Sequence, residues 1–517
     1  MIWSYVNKKI NRIAKGKKKN NLEYLIINGK KITNNDEISN HLNNYFGTIG
    51  NDLADKILKP KKKFILHKPI INKNSIFLSP TNTNEIRKII ISLKNKKGGN
   101  DDLHARILKH IVDYIVEPIV YIINLSIDTS TFPDHFKIAE VVPVYKAKEK
   151  YNPTNYRPIS LISNLAKIFE RILHNRIIKF FLKSKVIAEN QYGFMKNKGT
   201  KDAIAYLTDY VVKNLDARQC TAAVMLDFSK AFDTVQHVML LEKLEFYGIR
   251  GKSLELVKNY LTNRYQYVKV NDCKSKLKEI KIGVPQGTIL GPLFFIVYIN
   301  ELLRLVPNVL SYADDTAVLC TEKDWATTQT AMQDYLEKIN YWLNINKLSI
   351  NANKTEYLTF SIYKNKQPTN FNLYIGGNEL NKVKSYKYLG MHIDQHLRYD
   401  VHINYLVKKL RYLLFVFYKL KFILSNKALL SIYYGLFHSI ATYGIVAWGS
   451  AYKNVTQKIY NLQNRVLKII YSNRQNSIVN KPLSIKQTYH LNLLVMNYTN
   501  LYENFKKNMN ITRKKHY

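Results

Sequence analysis

The sequence predicts an α+β fold. Three observations carry that expectation: a continuous apolar strand that closes on Asp227, a short hairpin whose tip holds Asp314 and Asp315, and a long breaker-poor helical pattern beyond Asp400. Thr221, Ala222, Ala223, Val224, Met225 and Leu226 run without polar alternation, as a strand covered on both faces does. The stretch Val309–Leu319 places apolar runs on either side of the Asp pair, which reads as an antiparallel hairpin with acids at its turn. Leu406–Leu424, Lys427–Ile440 and Val455–Ile470 recur at helical spacing, rich in Leu, Ile, Tyr and Lys, and form a basic all-helical closing region.

The chain has 517 residues, and at roughly 150 residues per domain it holds about three packed units. With 79 Lys+Arg against 38 Asp+Glu it carries a net charge of +41, while a hydrophobic fraction of 46% argues against a disordered chain. So one-signed a surface calls for a polyanionic partner, nucleic acid or an anionic membrane. The 12% of aromatic residues, some of them free to stack on bases, favours nucleic acid. Three cysteines, Cys220, Cys273 and Cys320, form neither a disulfide framework nor a CxxC zinc pair, so a reducing intracellular residence, nucleus or cytoplasm, is expected. Met1–Tyr5 lacks the charged-then-apolar pattern of a signal peptide. The strongest apolar run, Ile289–Val297, is too short to span a bilayer and reads as a buried helix, so no membrane partner is expected.

Along the chain, residues 1–75 form a basic extension with lysine clusters at Lys15, Lys17–Lys19 and at Lys59, Lys61–Lys63, on either side of an amphipathic stretch, Ile38–Ile57. Those clusters read either as phosphate or import signals or as solvated loops. Residues 76–360 alternate helical and strand patterns and carry most of the Gly and Pro punctuation. Within them, Thr321–Asp324 resembles a capping box ahead of a helix with Met332, Leu336, Ile339 and Leu343 on one face.

The acids define the chemistry. Neighbouring ionised carboxylates persist as anions in a cleft only when a cation compensates them, and oxygen-only ligands select a hard ion, Mg²⁺ or Mn²⁺. Asp227, Asp314 and Asp315 could hold two such ions about 3.5–4 Å apart, the arrangement that serves nucleotidyl transfer. An Asp pair at a hairpin tip, taken alone, is more often a solvated turn.

Tyr312-Ala313-Asp314-Asp315 matches the active-site box of reverse transcriptases, and Asp227-Phe228-Ser229-Lys230-Ala231-Phe232-Asp233 resembles their first aspartate motif in its non-LTR retrotransposon form. Gly283–Pro292 looks like the family's template and nucleotide loop. Val141–Lys146 with Asn155–Leu161 resembles the fingers motifs, Gln191-Tyr192-Gly193-Phe194 the linking box, Asn346–Thr355 the motif after the Asp pair, and Tyr388-Leu389-Gly390 the primer grip. Together these span about residues 85–450 and are most like the jockey group.

The resemblance implies a right-hand polymerase with fingers, an antiparallel-sheet palm and a helical thumb. Fingers and palm would fill residues 76–360, the primer-grip region 361–400, and the basic thumb and tail 401–517. It implies RNA-directed DNA synthesis on an RNA template from a DNA primer, with deoxynucleoside triphosphates as substrates and two Mg²⁺ on Asp227, Asp314 and Asp315. Phe232 matches the ring that excludes ribonucleotides, with core packing as the alternative. Lys146 and Arg157 match triphosphate contacts, though either fits a solvated cation. Gln286 and Gly287 match nucleotide and template contacts, though Pro285 and Gly287 also suit a plain turn before a helix. Lys354 matches the general acid toward pyrophosphate, or is a surface lysine.

Several positions depart from the family's pattern: Gly199 where Ser is usual in the linking box, Asn100 where Pro or Tyr is usual, and Ala166 where Ser is common. The sequence also begins inside what resembles the linker ahead of the polymerase. Target nicking is therefore expected from a missing upstream endonuclease domain or in trans, and the chain is expected to be a partial element product. His392, His396 and His402 have no cysteine nearby and are read as structural. Two rival readings stand beside the polymerase: a non-catalytic nucleic-acid-binding protein derived from such an element, and a group II intron-type maturase, for which residues 450–517 look too short.

Overall fold

The computed structural model describes residues 22–57, 64, 71–146, 149–363 and 366–472. Both lysine clusters and the segment after Ser472 lie outside the described residues. The fold is α+β, as the sequence patterns predict.

A five-stranded sheet organises the chain, in the order Asn381–Lys382, Glu356–Phe360, Cys220–Leu226, Asp315–Glu322, Val309–Tyr312. Its pairings are antiparallel apart from the short parallel one made by Asn381–Lys382. The middle strand explains its own sequence. Ala222, Val224 and Leu226 enter one core with helices Asn164–Lys183, Leu290–Ile299 and Trp325–Ile345. Ala223 and Met225 enter another with helices Thr200–Asp216, Asp400–Leu420 and Lys453–Tyr471. Both faces are covered, so there is no polar alternation to see.

The apolar run beginning at Ile289 is a buried helix, Leu290–Ile299, followed by a separate short one, Leu302–Leu305. The capping box expected at Thr321–Asp324 is corrected by the structure. Thr321 is still in the strand, paired to Thr221, and Asp324 is the cap, its carboxylate accepting from Thr327 N at 2.9 Å. Among the described residues no helix is long and apolar enough to cross a membrane.

A second sheet joins Tyr156–Leu161, Ile138–Tyr145, Arg264–Val270 and Cys273–Lys274, with Lys278–Ile280 also paired to Arg264–Val270. Ile138–Tyr145 is antiparallel to Tyr156–Leu161 and parallel to Arg264–Val270. The N-terminal segment, read from sequence as a basic extension, is part of this unit over its described residues. Leu25–Ile27 and Lys30–Ile32 form a hairpin, and Asn34 caps helix Asn35–Asp55 through Asp36 N at 2.8 Å. Ile38, Leu42 and Phe46 of that helix pack on Val141, Tyr156, Val268 and Val270.

The histidines are structural contacts. His402 is fully buried, and burial pushes its imidazole down to about 4, while His396 Nδ1 lies 2.6 Å from Ser361 O.

Glu170 is a buried carboxylate that ties two helices and the loop before one of them. It accepts from Tyr260 Oη at 2.7 Å, from Ile289 N at 2.6 Å and from Leu290 N at 3.3 Å. Burial raises its pKa, opposed by the Tyr260 hydroxyl, the Arg264 charge and the two amides. Glu170→Ala strands those donors, so it is expected to lower unfolding stability by about 3–5 kcal/mol in urea titrations. A loss under about 1 kcal/mol would show the network to be dispensable.

Candidate active site

Asp227 follows the middle strand and is held by its backbone. Its N–H donates to Thr355 Oγ1 at 3.3 Å and its C=O accepts from Asn351 N at 2.8 Å. The next residues stay tied to the same segment, with Phe228 bridging Ile350 and Ser229 N donating to Ser349 O at 2.8 Å. That segment ends in the short turn Ala352–Lys354, which brings Lys354 Nζ to 3.7 Å from Asp227 Oδ2.

Asp314 and Asp315 arrive from the neighbouring hairpin. Thr316 pairs with Leu226, so one step further the register sets Asp315 across from Asp227. The hairpin turn is tight: Asp315 pairs with Tyr312, and Ala313 takes φ +60°, an uncommon conformation for a residue with a Cβ. Gln191 holds that turn. Its buried side-chain oxygen accepts from both Ala313 N at 3.2 Å and Gly193 N at 2.8 Å, and Tyr192 N donates to Ser311 O at 2.8 Å. The Gln191-Tyr192-Gly193 motif thus acts as a brace for the acidic turn.

Asp315 keeps an open face to solvent, but its carboxyl is crowded. Burial, then the charges of Asp314 and Asp227, push it from 3.8 up to about 6, with Arg157 and Lys146 pulling it back. Among the described residues no three Asp, Glu, His or Cys side chains converge tightly enough to close a metal cage. The three acids stand near enough for the charges of Asp314 and Asp227 to act on Asp315. As a donor set they are oxygen-only and suit a hard cation.

Cations face them. Arg157 lies in the second sheet opposite Val144, and Lys146 follows that strand, its N–H donating to Asn155 O at 2.9 Å. Burial lowers the Lys146 pKa, Arg157 and Lys354 lower it further, and Asp227 and Asp314 raise it. Lys230 belongs to this group, a role sequence reasoning did not assign although the residue sits inside the quoted aspartate motif. Its ammonium donates to Tyr156 O at 3.3 Å and lies 5.5 Å from the ring centroid of Tyr45. Burial lowers its pKa, Asp233 raises it, and Lys146, Arg157 and Lys354 lower it.

The glycine loop forms another wall. Val284 N donates to Phe232 O at 2.8 Å, and the Phe232 ring stacks on Phe295 at 4.7 Å, half-buried with core on one side. Ser160 N donates to Gln286 O at 2.7 Å, and Gly287, at φ +111°, passes so close that a Cβ would lie 2.7 Å from Ser160 O. Gln286 Nε2 donates to Asp233 Oδ1 at 3.0 Å. A last element, hairpin Ser385–Tyr388 with Met391–Asp394, also borders the acids. Burial pushes the Tyr386 phenol up to about 12, and the charges of Asp315 and Asp227 add to it. The structure therefore gathers Asp227, Asp314, Asp315, Lys354, Lys146 and Arg157 about one cleft, with Phe232, Gln286 and Gly287 in the adjoining loop wall.

Residues 146–393 match the family model described as reverse transcriptase (RNA-dependent DNA polymerase). The chain is 29% identical over 414 residues to the RNA-directed DNA polymerase from mobile element jockey of Drosophila melanogaster, covering 77% of this chain and 44% of that protein. It is 30% identical to the jockey polymerase of Drosophila funebris, covering 76% and 44%, and 29% identical to the probable RNA-directed DNA polymerase from transposon BS of Drosophila melanogaster, covering 77% and 45%. Residues 146–393 thus resemble a reverse transcriptase, and about three quarters of the chain is similar to polymerases of non-LTR retrotransposons, the family that its motifs resemble. The chain spans less than half the length of these relatives.

The brace makes a sharp prediction. A Cβ at Gly193 would lie 2.2 Å from Ala313 N, so Gly193→Ala is expected to lower stability by about 2–3 kcal/mol, read as a lower urea midpoint at unchanged slope. An unchanged midpoint would mean that the turn relaxes freely.

Proposed function

We propose that this chain is the RNA-directed DNA polymerase of a non-LTR retrotransposon, extending a DNA primer 3′-hydroxyl on an RNA template. One observation carries the reading: within a reverse transcriptase domain, Asp227, Asp314 and Asp315 sit across a single cleft from Lys146, Arg157, Lys230 and Lys354. Acids for a divalent ion and cations for a triphosphate are the two halves of a nucleotidyl-transfer site. In this reading the five-stranded sheet and its helices are the palm, the second sheet and neighbouring helices the fingers, and the helices after Asp400 the thumb.

Asp227, Asp314 and Asp315 are assigned as ligands of two Mg²⁺ ions, with Mn²⁺ as a substitute. When bound, such ions neutralise triphosphate charge and make a primer hydroxyl easier to deprotonate. Arg157 offers a planar fork to phosphate oxygens and Lys146 a point charge. Lys354 is assigned as the proton donor to departing pyrophosphate, supported by its ammonium lying beside Asp227. Phe232, backed by Phe295 and half-open, is assigned as the ring that collides with a ribose 2′-hydroxyl. The net charge of +41 supports a salt-sensitive grip on template and primer. Intracellular residence, nucleus or cytoplasm, belongs to the same proposal and rests on the sparse cysteine usage.

Primer extension on a poly(rA)/oligo(dT) hybrid with Mg²⁺ tests this. Extension with dTTP and not UTP, abolished in Asp314→Ala/Asp315→Ala, is the expected result. Hybrid binding without extension under either metal would replace the polymerase with a nucleic-acid-binding protein.

The Asp315 shift adds a pH test. Its native pKa is raised, so the native state holds a proton that the unfolded chain has already lost, and stability falls as pH rises from about 4 to about 6. A bound cation relieves that penalty only where the acid is ionised. The Mg²⁺-induced rise in melting temperature is therefore expected to grow between about pH 5 and pH 7, and Asp315→Asn is expected to flatten the trend. An equal rise at both pH values in the native protein would remove Asp315 from the ion site.

A further inference from the structure

We propose that the outer face of helix Val112–Thr129 is a self-association surface, and that its partner is the outer face of helix Asp400–Leu420 on a second copy of this chain. The proposal does not depend on the activity proposed above.

Helix Val112–Thr129 buries one side, where Val116, Ile123 and Ile127 enter the core with Ile89 and Leu256. Its other side is apolar as well. Tyr114 is 84% exposed, Tyr121 69% and Leu125 47%, and exposed Pro118 lies between them. These four residues recur at steps of four, three and four, the seam that one helix offers to another. Exposed Ile107 and Ile111 continue the same spacing toward the N-terminus. An exposed apolar stripe of this length marks a contact surface.

Charge narrows the partner. On a chain of net charge +41 this helix carries Asp113, Glu117 and Asp128 and no Lys or Arg. Asp113 is taken by Arg87, whereas Glu117 and Asp128 make no ion pair among the described residues. Both border the seam: Glu117 precedes Pro118, and Asp128 stands three residues past Leu125. Pro118 has no N–H, so Tyr114 C=O lacks its i+4 donor and adds an acceptor. Such a face repels the phosphates of a nucleic acid or an anionic membrane and attracts a basic helix.

A basic helix with a matching seam stands on the same molecule. Along Asp400–Leu420 and the turn after it, Arg411, Phe415, Tyr418 and Phe422 recur at the same steps of four, three and four. The three rings are 47%, 54% and 64% exposed. Lys419 Nζ lies 4.7 Å from the centroid of Phe415, and Lys421 Nζ 4.9 Å from those of Tyr418 and Phe422, so the cations sit on the seam itself. Each four-residue seam runs about 16 Å. Both are open on one molecule, so neither covers the other within the chain. Joined between copies, they bury two apolar stripes and set Glu117 and Asp128 among Arg411, Lys419 and Lys421. Two such contacts close a dimer where the geometry allows, and otherwise the assembly extends. One helix pair is smaller than a standard interface, so a dissociation constant of about 10–100 µM is expected.

Sedimentation equilibrium of the full chain, freed of nucleic acid and held at about 0.3 M salt to screen general repulsion, tests this. The weight-average mass is expected to about double or more between about 1 µM and about 100 µM protein. Glu117→Lys with Asp128→Lys is expected to hold the chain monomeric. Lys419→Glu with Lys421→Glu is expected to do the same, although it lowers the net positive charge and with it the general repulsion. All four changes together reverse the signs on both faces, leave the net charge unchanged, and are expected to restore association to within about threefold. An unchanged urea midpoint shows that each variant folds. A native protein that stays monomeric, a loss with the acid pair but not with the lysine pair, or a fourfold variant that stays monomeric would overturn the proposal. Primer extension is read separately, so the polymerase reading stands or falls by itself.

Discussion

Everything near the cleft answers to the mutual repulsion of three carboxylates. At an effective dielectric near 20, two unit charges 4 Å apart interact by about 4 kcal/mol, enough to push flexible chain ends apart. The acids stay together because none sits on a flexible end. Asp227 is bonded through its own N–H and C=O to Thr355 and Asn351, and the hairpin turn bearing Asp314 and Asp315 is clamped by Gln191. Burial first, and then the charges of Asp314 and Asp227, displace the Asp315 carboxyl to about 6. Rigidity comes from below, where the middle strand is buried on both faces and has no freedom to slide: a one-residue slip would exchange the residues of two separate cores.

The loop from Gly283 to Gly291 connects this acidic edge with the rest of the molecule. Glu170 binds its end from one helix, Ser160 binds its middle from the second sheet, and Phe232 and Asp233 bind its start and side from the segment after Asp227. Glycine is required where it passes nearest other backbone, at Gly283 against Asp233 and at Gly287 against Ser160, both at positive φ. The N-terminal helix adds Gly50 against Asp233 and Tyr45 beside Lys230, so a segment far from the acids in sequence helps to shape their surroundings.

What could be read from sequence followed from how local each signal is. The middle strand and the acidic hairpin were legible because burial on two faces and a two-residue turn leave short-range patterns. The cap at Asp324 was misjudged for a local reason as well: Thr321 has the right composition for a cap, but its pairing with Thr221 keeps it in the sheet. Glu170, Gln191 and Asp233 were not legible as a brace, a clamp and a tie, since each acts on a partner brought near only by folding. Glu170 left the faintest usable trace, a single acid in a helical stretch whose Ile168, Phe169, Ile172 and Leu173 are all buried. Lys354 and Lys146 were assigned from the resemblance with a surface lysine as the alternative, because a lysine has no pattern of its own and its role depends on the charges folded around it.

Those charges are unbalanced in a telling way. On one side of the cleft an acid is pushed up by crowding and by its acidic neighbours; on the other, Lys146 and Lys230 are pushed down by burial and by their cationic neighbours. Each cluster is under like-charge stress, and each relieves the other only in part, Arg157 and Lys146 being carried by a different sheet from the acids. Folding alone would have favoured pairing them off or replacing them with apolar residues, since buried charge seldom repays its desolvation. A ligand that brings cations to the acids and anionic phosphates to the lysines and arginine relieves both stresses at once. Under the proposed function, the binding free energy of a metal-bound polyphosphate would then include release of the like-charge stress on both clusters.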